Sequence, residues 1–265
     1  MKHKSKSRSV GVARALSKLG FCSRSEGFEL TRAGRVRVNG VVRHDPESPV
    51  HLEKDRIEVD GKFVDVRDRV YVVLNKPRGV VTTASDEKAR ETVYTYLRAG
   101  LPWVAPVGRL DKASEGLLLL TNDSEWAGKI TAPKTHLDKT YHVQIAQVAD
   151  ENLLNSMISG IKTSEGILRV KRAGLLRAGE KNSWIEVVLD EGKNRRIRRI
   201  LESREIEVLR LIRVRIGPLV LGDLKKGKTR DLTADEKRAI DQAIEAKSAP
   251  DEERDPRRTY PRVSG

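Results

Sequence analysis

The order of short helices and strands along this chain predicts an α+β fold, with a small N-terminal module followed by a larger domain on a mainly antiparallel, mixed sheet. Three observations carry that expectation. Two helical segments and several short strands fall within the first 65 residues, ahead of a charged, aperiodic stretch, Asp65-Val66-Arg67-Asp68-Arg69. Beyond it, strands and short helices alternate irregularly, unlike the repeating β-α order of a doubly wound sheet. At 265 residues and 38% hydrophobic content, the chain is long and apolar enough for two modest cores.

Residues 11–19 read as a helix with Val12, Ala15, Leu16 and Leu19 on one face, ended by Gly20. Ser23-Arg24-Ser25-Glu26 has capping-box spacing and starts a second helix that stops at Gly34. Gly27 within it costs about 1 kcal/mol relative to alanine. Val36-Arg37-Val38, Asn39-Gly40 and Val41-Val42 make a strand, a tight turn and a strand. Arg56–Val59 is a further strand that turns at Asp60-Gly61. Past the linker, strands are expected at Tyr71–Leu74, Leu117–Thr121, Tyr141–Ile145, Trp184–Leu189 and Val208–Val214. Helices are expected at Glu91–Leu97, Ser124–Ile130 and Asn194–Glu202. A second capping box, Thr233-Ala234-Asp235-Glu236, opens a final helix to about Glu245. The expected divisions are a basic flexible N-terminus at 1–9, the small module at 10–65, a linker at 66–69, the large domain at 70–247 and a disordered tail at 248–265.

Charge narrows the function. The chain carries 52 Lys and Arg against 38 Asp and Glu, a net charge of +14. The excess is clustered: residues 1–44 hold eleven cations with only Glu26 and Glu29 as acids, and residues 193–230 hold thirteen against four. A polyanion such as RNA is the expected partner. No run of about 18 apolar residues is present, and neither basic region has the apolar face of a membrane-surface helix. Cys22 is the only cysteine, which excludes an internal disulfide and a Cys-based zinc site and fits a reducing cytoplasm. His3, His44, His51, His136 and His142 have no metal-ligand spacing, and there is no Gly-rich phosphate loop, so neither a metal nor a nucleotide cofactor is expected. A monomer is expected.

The most informative stretch is Val107-Gly108-Arg109-Leu110-Asp111, followed by polar residues and then Leu117-Leu118-Leu119-Leu120. It sets one carboxylate in a short loop at the mouth of an apolar strand. From spacing alone this is a solvated turn or a fixed catalytic acid. Three other words flank it: Asn75-Lys76-Pro77-Arg78-Gly79-Val80-Val81 before, Lys139-Thr140-Tyr141-His142-Val143 after, and Glu191-Gly192-Lys193-Asn194-Arg195-Arg196-Ile197-Arg198-Arg199 last. In this order they resemble the RNA pseudouridine synthases, and in particular the ribosomal small-subunit pseudouridine synthase A family. The likeness runs from about Val10 to Thr233. Leu19-Gly20-Phe21-Cys22-Ser23-Arg24 and Gly34-Arg35-Val36-Arg37-Val38-Asn39-Gly40 resemble the alpha-L RNA-binding module also found in ribosomal small-subunit protein four. The usual leading arginine of that module is missing, Gly27 stands where it has alanine, and Arg196 stands where the synthases often have glutamine.

The resemblance implies isomerisation of a uridine, in ribosomal RNA, with Asp111 as the catalytic carboxylate. It can act as a nucleophile or as a base; both remain open. Arg109 and Arg198 match family positions near the acid, and a cation there keeps an enclosed carboxylate charged. Arg198 is expected to hold Asp111 through two points of its planar fork. Tyr141 matches the aromatic that stacks on a base flipped out of the RNA; a packed strand tyrosine is the plainer alternative. Arg195 and Arg199 are candidate phosphate contacts on the same helix, and Arg24, Arg32, Arg35 and Arg37 are candidate RNA contacts in the small module. The Asn75–Gly79 segment reads as a structural turn, with Lys76 or Arg78 as possible phosphate contacts. A competing reading keeps the fold but not the chemistry: a non-catalytic RNA-binding or ribosome-assembly protein.

Overall fold

A computed structural model of the chain describes residues 9–65, 67–84, 88–132, 137–190 and 195–248. The basic N-terminus to Arg8, the tail from Ala249, His136 and the Glu191–Asn194 half of the last motif lie outside these residues.

Helices α1 (Val12–Lys18) and α2 (Arg24–Arg32) pack on a four-stranded sheet of β1 (Val36–Val38), β2 (Val41–Arg43), β3 (Ile57–Val59) and β4 (Lys62–Phe63). Ser23 Oγ accepts from the Glu26 N–H at 3.0 Å, so the first half of the expected capping box is made. Asn39 and Gly40 both have positive φ, 52° and 81°, which is what a two-residue turn matching the strand twist needs. Gly27 has a packing reason. A Cβ there would lie 3.0 Å from the Ala13 carbonyl oxygen, so the missing side chain lets α2 approach α1 closely.

The large domain is built on one sheet. Its strands are β5 (Tyr71–Lys76), β6 (Glu115–Thr121), β7 (Lys139–Ile145), β8 (Arg172–Ala178), β9 (Ser183–Leu189), β10 (Val208–Ile216) and β11 (Thr229–Asp231), with α3 (Ser124–Thr131), α4 (Glu151–Ser159), α5 (Arg196–Glu202) and α6 (Ala234–Ser248) between or after them. The order across the sheet is β8-β9-β7-β10-β6-β5-β11, with Ala105–Pro106 and Leu219–Val220 as short additions. Among these named strands every pairing is antiparallel except β10 with β6, where Ile212 lies opposite Glu115 and Arg213 opposite Gly116. All seven residues of β6 are buried, and its leucines divide between two apolar clusters, Leu118 and Leu120 on one face and Leu117 and Leu119 on the other. The sheet is therefore packed on both faces here, which explains an unbroken leucine run instead of alternation.

Two expectations about elements are corrected. Glu91–Leu97 is not an α-helix: only Val93–Tyr96 is helical, as one 3₁₀ turn. Val81 accepts from the Val93 N–H and donates to the Glu91 carbonyl, both at 3.0 Å, tying this stretch into a bridge. The β-branched and aromatic residues there, Thr92, Val93, Tyr94 and Thr95, offer little helix propensity to oppose it. Helix α5 begins at Arg196, after Arg195 in a left-handed conformation at φ 65°, so the expected helix does not run through Arg195; its expected start, Asn194, lies outside the described residues. Helix α4, capped by Asp150, was not anticipated. The second capping box is complete: Thr233 Oγ1 accepts from the Glu236 N–H at 3.1 Å, and Glu236 Oε2 accepts from the Thr233 N–H at 2.9 Å. Within the described residues, no helix is long and apolar enough to cross a membrane.

The charged linker is pinned to the large domain. Asn122 accepts from the Val70 N–H and donates to the Asp68 carbonyl, and Arg69 pairs with Asp123 at 2.9 Å. The small module rests on the same corner. Lys18 pairs with Glu125 at 2.9 Å, and the Gly20 carbonyl accepts from the Trp103 N–H at 3.2 Å.

Candidate active site

The loop that carries Asp111 is fixed from below. Lys76, at the end of β5, has no exposed surface. Its ammonium donates to the carbonyls of Pro77 (3.0 Å), Asp111 (3.2 Å) and Ser114 (2.9 Å). Burial pushes its pKa down to about 8, opposed by the charges of Asp111 and Glu115. Lys76 is thus spent on holding the loop and does not reach phosphate, which corrects one expectation for the Asn75–Gly79 segment. The turn after it also serves the loop: the Gly79 N–H donates to the Lys112 carbonyl at 2.7 Å, with Gly79 at φ 94°. Arg78 is exposed and donates to the Leu209 carbonyl at 3.1 Å.

One cleft gathers residues from four separate stretches. Arg109 and Asp111 come from the loop, Tyr141 from β7, and Arg195 and Arg198 from the start of α5; Lys139, Arg196 and Arg213 also line it. Apolar walls are supplied by Val107, Leu110, Ile130, Leu189, Ile197 and Leu211. Tyr141, 9% exposed, borders both the cleft and the main core, so its ring is held by packing on one side and open to a ligand on the other. His142 faces away from the cleft, 3.8 Å from Glu186.

Arg198 does not make the expected two-point contact with Asp111. Its Nη2 donates to the Ala113 carbonyl at 3.1 Å, two residues past the acid, and its Nε is buried with no partner among the described residues. Burial lowers its pKa, and the charges of Asp111 and, more weakly, Glu202 raise it. Arg109 is exposed and makes no ion pair among the described residues. Ile197, Ile200 and Leu201 are buried, as the helical spacing of α5 requires. Arg199 is turned to the hairpin at 161–168 and ion-pairs with Glu165, while Arg195 lies 3.6 Å from Glu202.

In the small module, Arg24 and Arg32 are exposed with no hydrogen bond or ion pair among the described residues. Arg35 is held by Asp60 through two contacts, and Arg37 donates to the Gly40 carbonyl at 3.2 Å. Sequence reasoning missed Lys76 as a support of the loop and Lys139 and Arg213 as cleft residues. Their only signal is position: Lys76 and Lys139 sit in two of the four motifs.

The fold and this cleft define an RNA-modifying enzyme. The family described as RNA pseudouridylate synthase matches residues 70–203, and the S4 domain matches residues 11–57. The chain is 37% identical over 227 residues to the ribosomal large subunit pseudouridine synthase B of Bacillus subtilis, covering 85% of this chain and 93% of that protein. It is 35% identical over 242 residues to an uncharacterized RNA pseudouridine synthase of Aquifex aeolicus, covering 91% and 97%. A crystal structure of a pseudouridylate synthase superposes with a TM-score of 0.62 at 28% identity, covering 88% of this chain and all of that one. The chain belongs to the RNA pseudouridine synthase family, with an N-terminal S4 RNA-binding domain.

Proposed function

We propose that this enzyme converts one specific uridine of ribosomal RNA to pseudouridine, with Asp111 as the catalytic carboxylate. The observation that carries the reading is convergence: an acid, an aromatic ring and an arginine from distant parts of the chain border one cleft of otherwise apolar wall. A uridine in folded RNA must leave its stack to be reached, and Tyr141 offers the ring on which it rests. Asp111, in a loop held by Lys76, then acts at the sugar or the base. Arg198 sets the local charge and anchors the Ala113 carbonyl beside it. The reaction is an isomerisation and requires no redox or phosphoryl cofactor. The Bacillus subtilis relative, named for the large ribosomal subunit, supports large-subunit RNA as the substrate. Mapping pseudouridines across cellular RNA with and without the gene tests this: one large-subunit site is expected to vanish, and loss only from transfer RNA sinks the assignment.

Tyr141 separates stacking from its hydroxyl. Tyr141→Phe keeps the ring and is expected to stay within a few-fold of wild type, whereas Tyr141→Ala loses about 1–3 kcal/mol of binding to the flipped base. Equal defects in single-turnover assays on one RNA would exclude a stacking role.

The free arginines of the S4 domain give a second expectation. Arg24→Ala with Arg32→Ala removes two phosphate contacts, so the slope of log K against log salt should fall by about 1.8 on duplex RNA, treated like B-DNA. Arg35→Ala, which breaks a pair already satisfied by Asp60, should change the slope far less. An unchanged slope in the double variant rules out the proposed contacts.

A further inference from the structure

Arg213 lies directly opposite Tyr141 across the β10–β7 pair. It is 5% exposed; its Nε donates to the Leu117 carbonyl at 2.8 Å, but its Nη2 is buried with no partner among the described residues. Lys139 is two residues from Tyr141 on the same face of β7, half-buried, and likewise makes no hydrogen bond or ion pair among the described residues. Burial and the charge of Arg213 both lower its pKa. The charges of Asp138 and Asp190 oppose that shift, but Asp138 is paired with Lys171, and Glu115 is paired with Arg210 and Lys226. Lys76 is saturated by three carbonyls. Two adjacent cations therefore line the cleft without an ion pair among the described residues. A buried, unpaired guanidinium N–H is costly, and a native protein keeps one only where something else completes it.

We propose that Arg213 and Lys139 stabilise the uracil ring as an anion while it is detached from its sugar. This rests on the reading above, in which Asp111 and Tyr141 enclose the target uridine. For either role of Asp111, the N1–C1′ bond must break and a C5–C1′ bond must form. The electron pair of the broken bond leaves with the base, and the charge spreads onto the carbonyl oxygens O2 and O4. After the new bond forms, the C5 proton is lost and N1 gains a proton, so no oxidant or reductant enters. A half-turn of the ring about its N3–C6 axis brings C5 to where N1 was. The same half-turn exchanges O2 with O4. Fixed donors that grip a carbonyl oxygen before the turn thus meet an equivalent oxygen after it. Donors already in place where charge develops, in a site shielded from water, act on the transition state more than on the bound substrate. A phosphate is the poorer candidate, because Arg213 lies beside the ring of Tyr141 at the floor, while Arg109 and Arg195 are exposed.

The test uses the full chain and a ribosomal RNA fragment that the wild type modifies. Lys139→Met and Arg213→Lys are expected to lower the single-turnover rate about 100-fold or more. RNA affinity and its salt slope should remain close to wild type. Lys139→Met, at a half-buried side chain without bonds, keeps the question open to refutation if Arg213→Lys does not fold. With 5-fluorouridine at the target, the base is a more acidic leaving group, and the rate of glycosidic-bond breakage should show a smaller defect in Lys139→Met than with uridine. A purely structural fault would leave the two defects equal, and that result overturns the proposal. So would weakened affinity with a salt slope lower by about 0.9 and an unchanged rate at saturation, the mark of a phosphate contact. Asp111→Asn in the same assay separates the two levels: turnover there removes the underlying reading, whereas its inactivity beside full rates in both cation variants removes only this inference.

Discussion

Asp111→Asn should abolish pseudouridine formation while leaving RNA binding near the wild-type level. Asparagine keeps the size of the side chain and removes the charge that a nucleophile or a base needs. A positioned acid–base group alone contributes about 10²–10⁴-fold. The loss is therefore expected at or beyond the upper end of that range. The loop itself should survive, because Lys76 grips the backbone carbonyls of Asp111 and Ser114 and not the carboxylate. Binding should hold or tighten slightly, since a negative charge has been taken from a cleft that receives RNA. Turnover within tenfold of wild type would show that another group does the chemistry.

Gly116→Ala should be the most damaging single methyl group in the molecule. Gly116 sits at φ 101°, a conformation alanine resists, and a Cβ there would lie 2.3 Å from the Arg213 carbonyl oxygen and 2.8 Å from its nitrogen. Both obstacles are main chain, on the one parallel pairing of the sheet, so no rotamer change relieves them. Backbone strain and overpacking together are expected to cost about 3–5 kcal/mol. Gly108→Ala, in the loop before the strand, is a useful contrast. Its φ is 73°, but its nearest contact is the Thr131 methyl at 3.7 Å, so it bears strain without collision. Denaturant midpoints for both variants decide the matter; equal losses would mean that the close approach of β10 is unimportant.

How much of this was legible beforehand follows from where each signal resides. The helices of the S4 domain announce themselves through local chemistry: a serine cap, a glycine stop and an apolar stripe. Strand β6 is legible because it is buried on both faces, and the acid is legible because it stands in polar company beside four leucines. Helix α4 was overlooked although its signs are present, Asp150 as a cap and Leu153 and Met157 one turn apart on the buried face. The turn at 93–96 was misread because its conformation is set by a bridge to Val81, which no local propensity encodes. The same applies to the cleft. Nothing in the words around Lys76 or Arg213 tells a buried cation from a solvated one. Burial and the direction of each side chain arise only when β5, β7 and β10 lie side by side. Arg198 shows the converse limit: its neighbourhood was anticipated, but its hydrogen bond goes to a carbonyl of the loop and not to the acid.

The parallel pairing of β6 with β10 also bears on how the protein comes to exist. Strand β6 gains its hairpin-like neighbour β5 early in synthesis, but its other edge waits for Arg210 and its neighbours, 95 residues further along. Ala105–Val107, made earlier, covers Leu119–Thr121 on that edge, so until β10 arrives the open hydrogen-bonding edge is the start of the strand at Glu115–Gly116, the kind of template that recruits other chains. The sequence guards the strand at both ends, with Glu115 before the leucines and Asn122-Asp123-Ser124-Glu125 after them. Glu115 is later drawn into the pair with Arg210 and Lys226. The same carboxylate thus sets a charge beside the leucines of the nascent chain and, in the folded protein, fastens the strand whose late arrival completes the floor of the cleft.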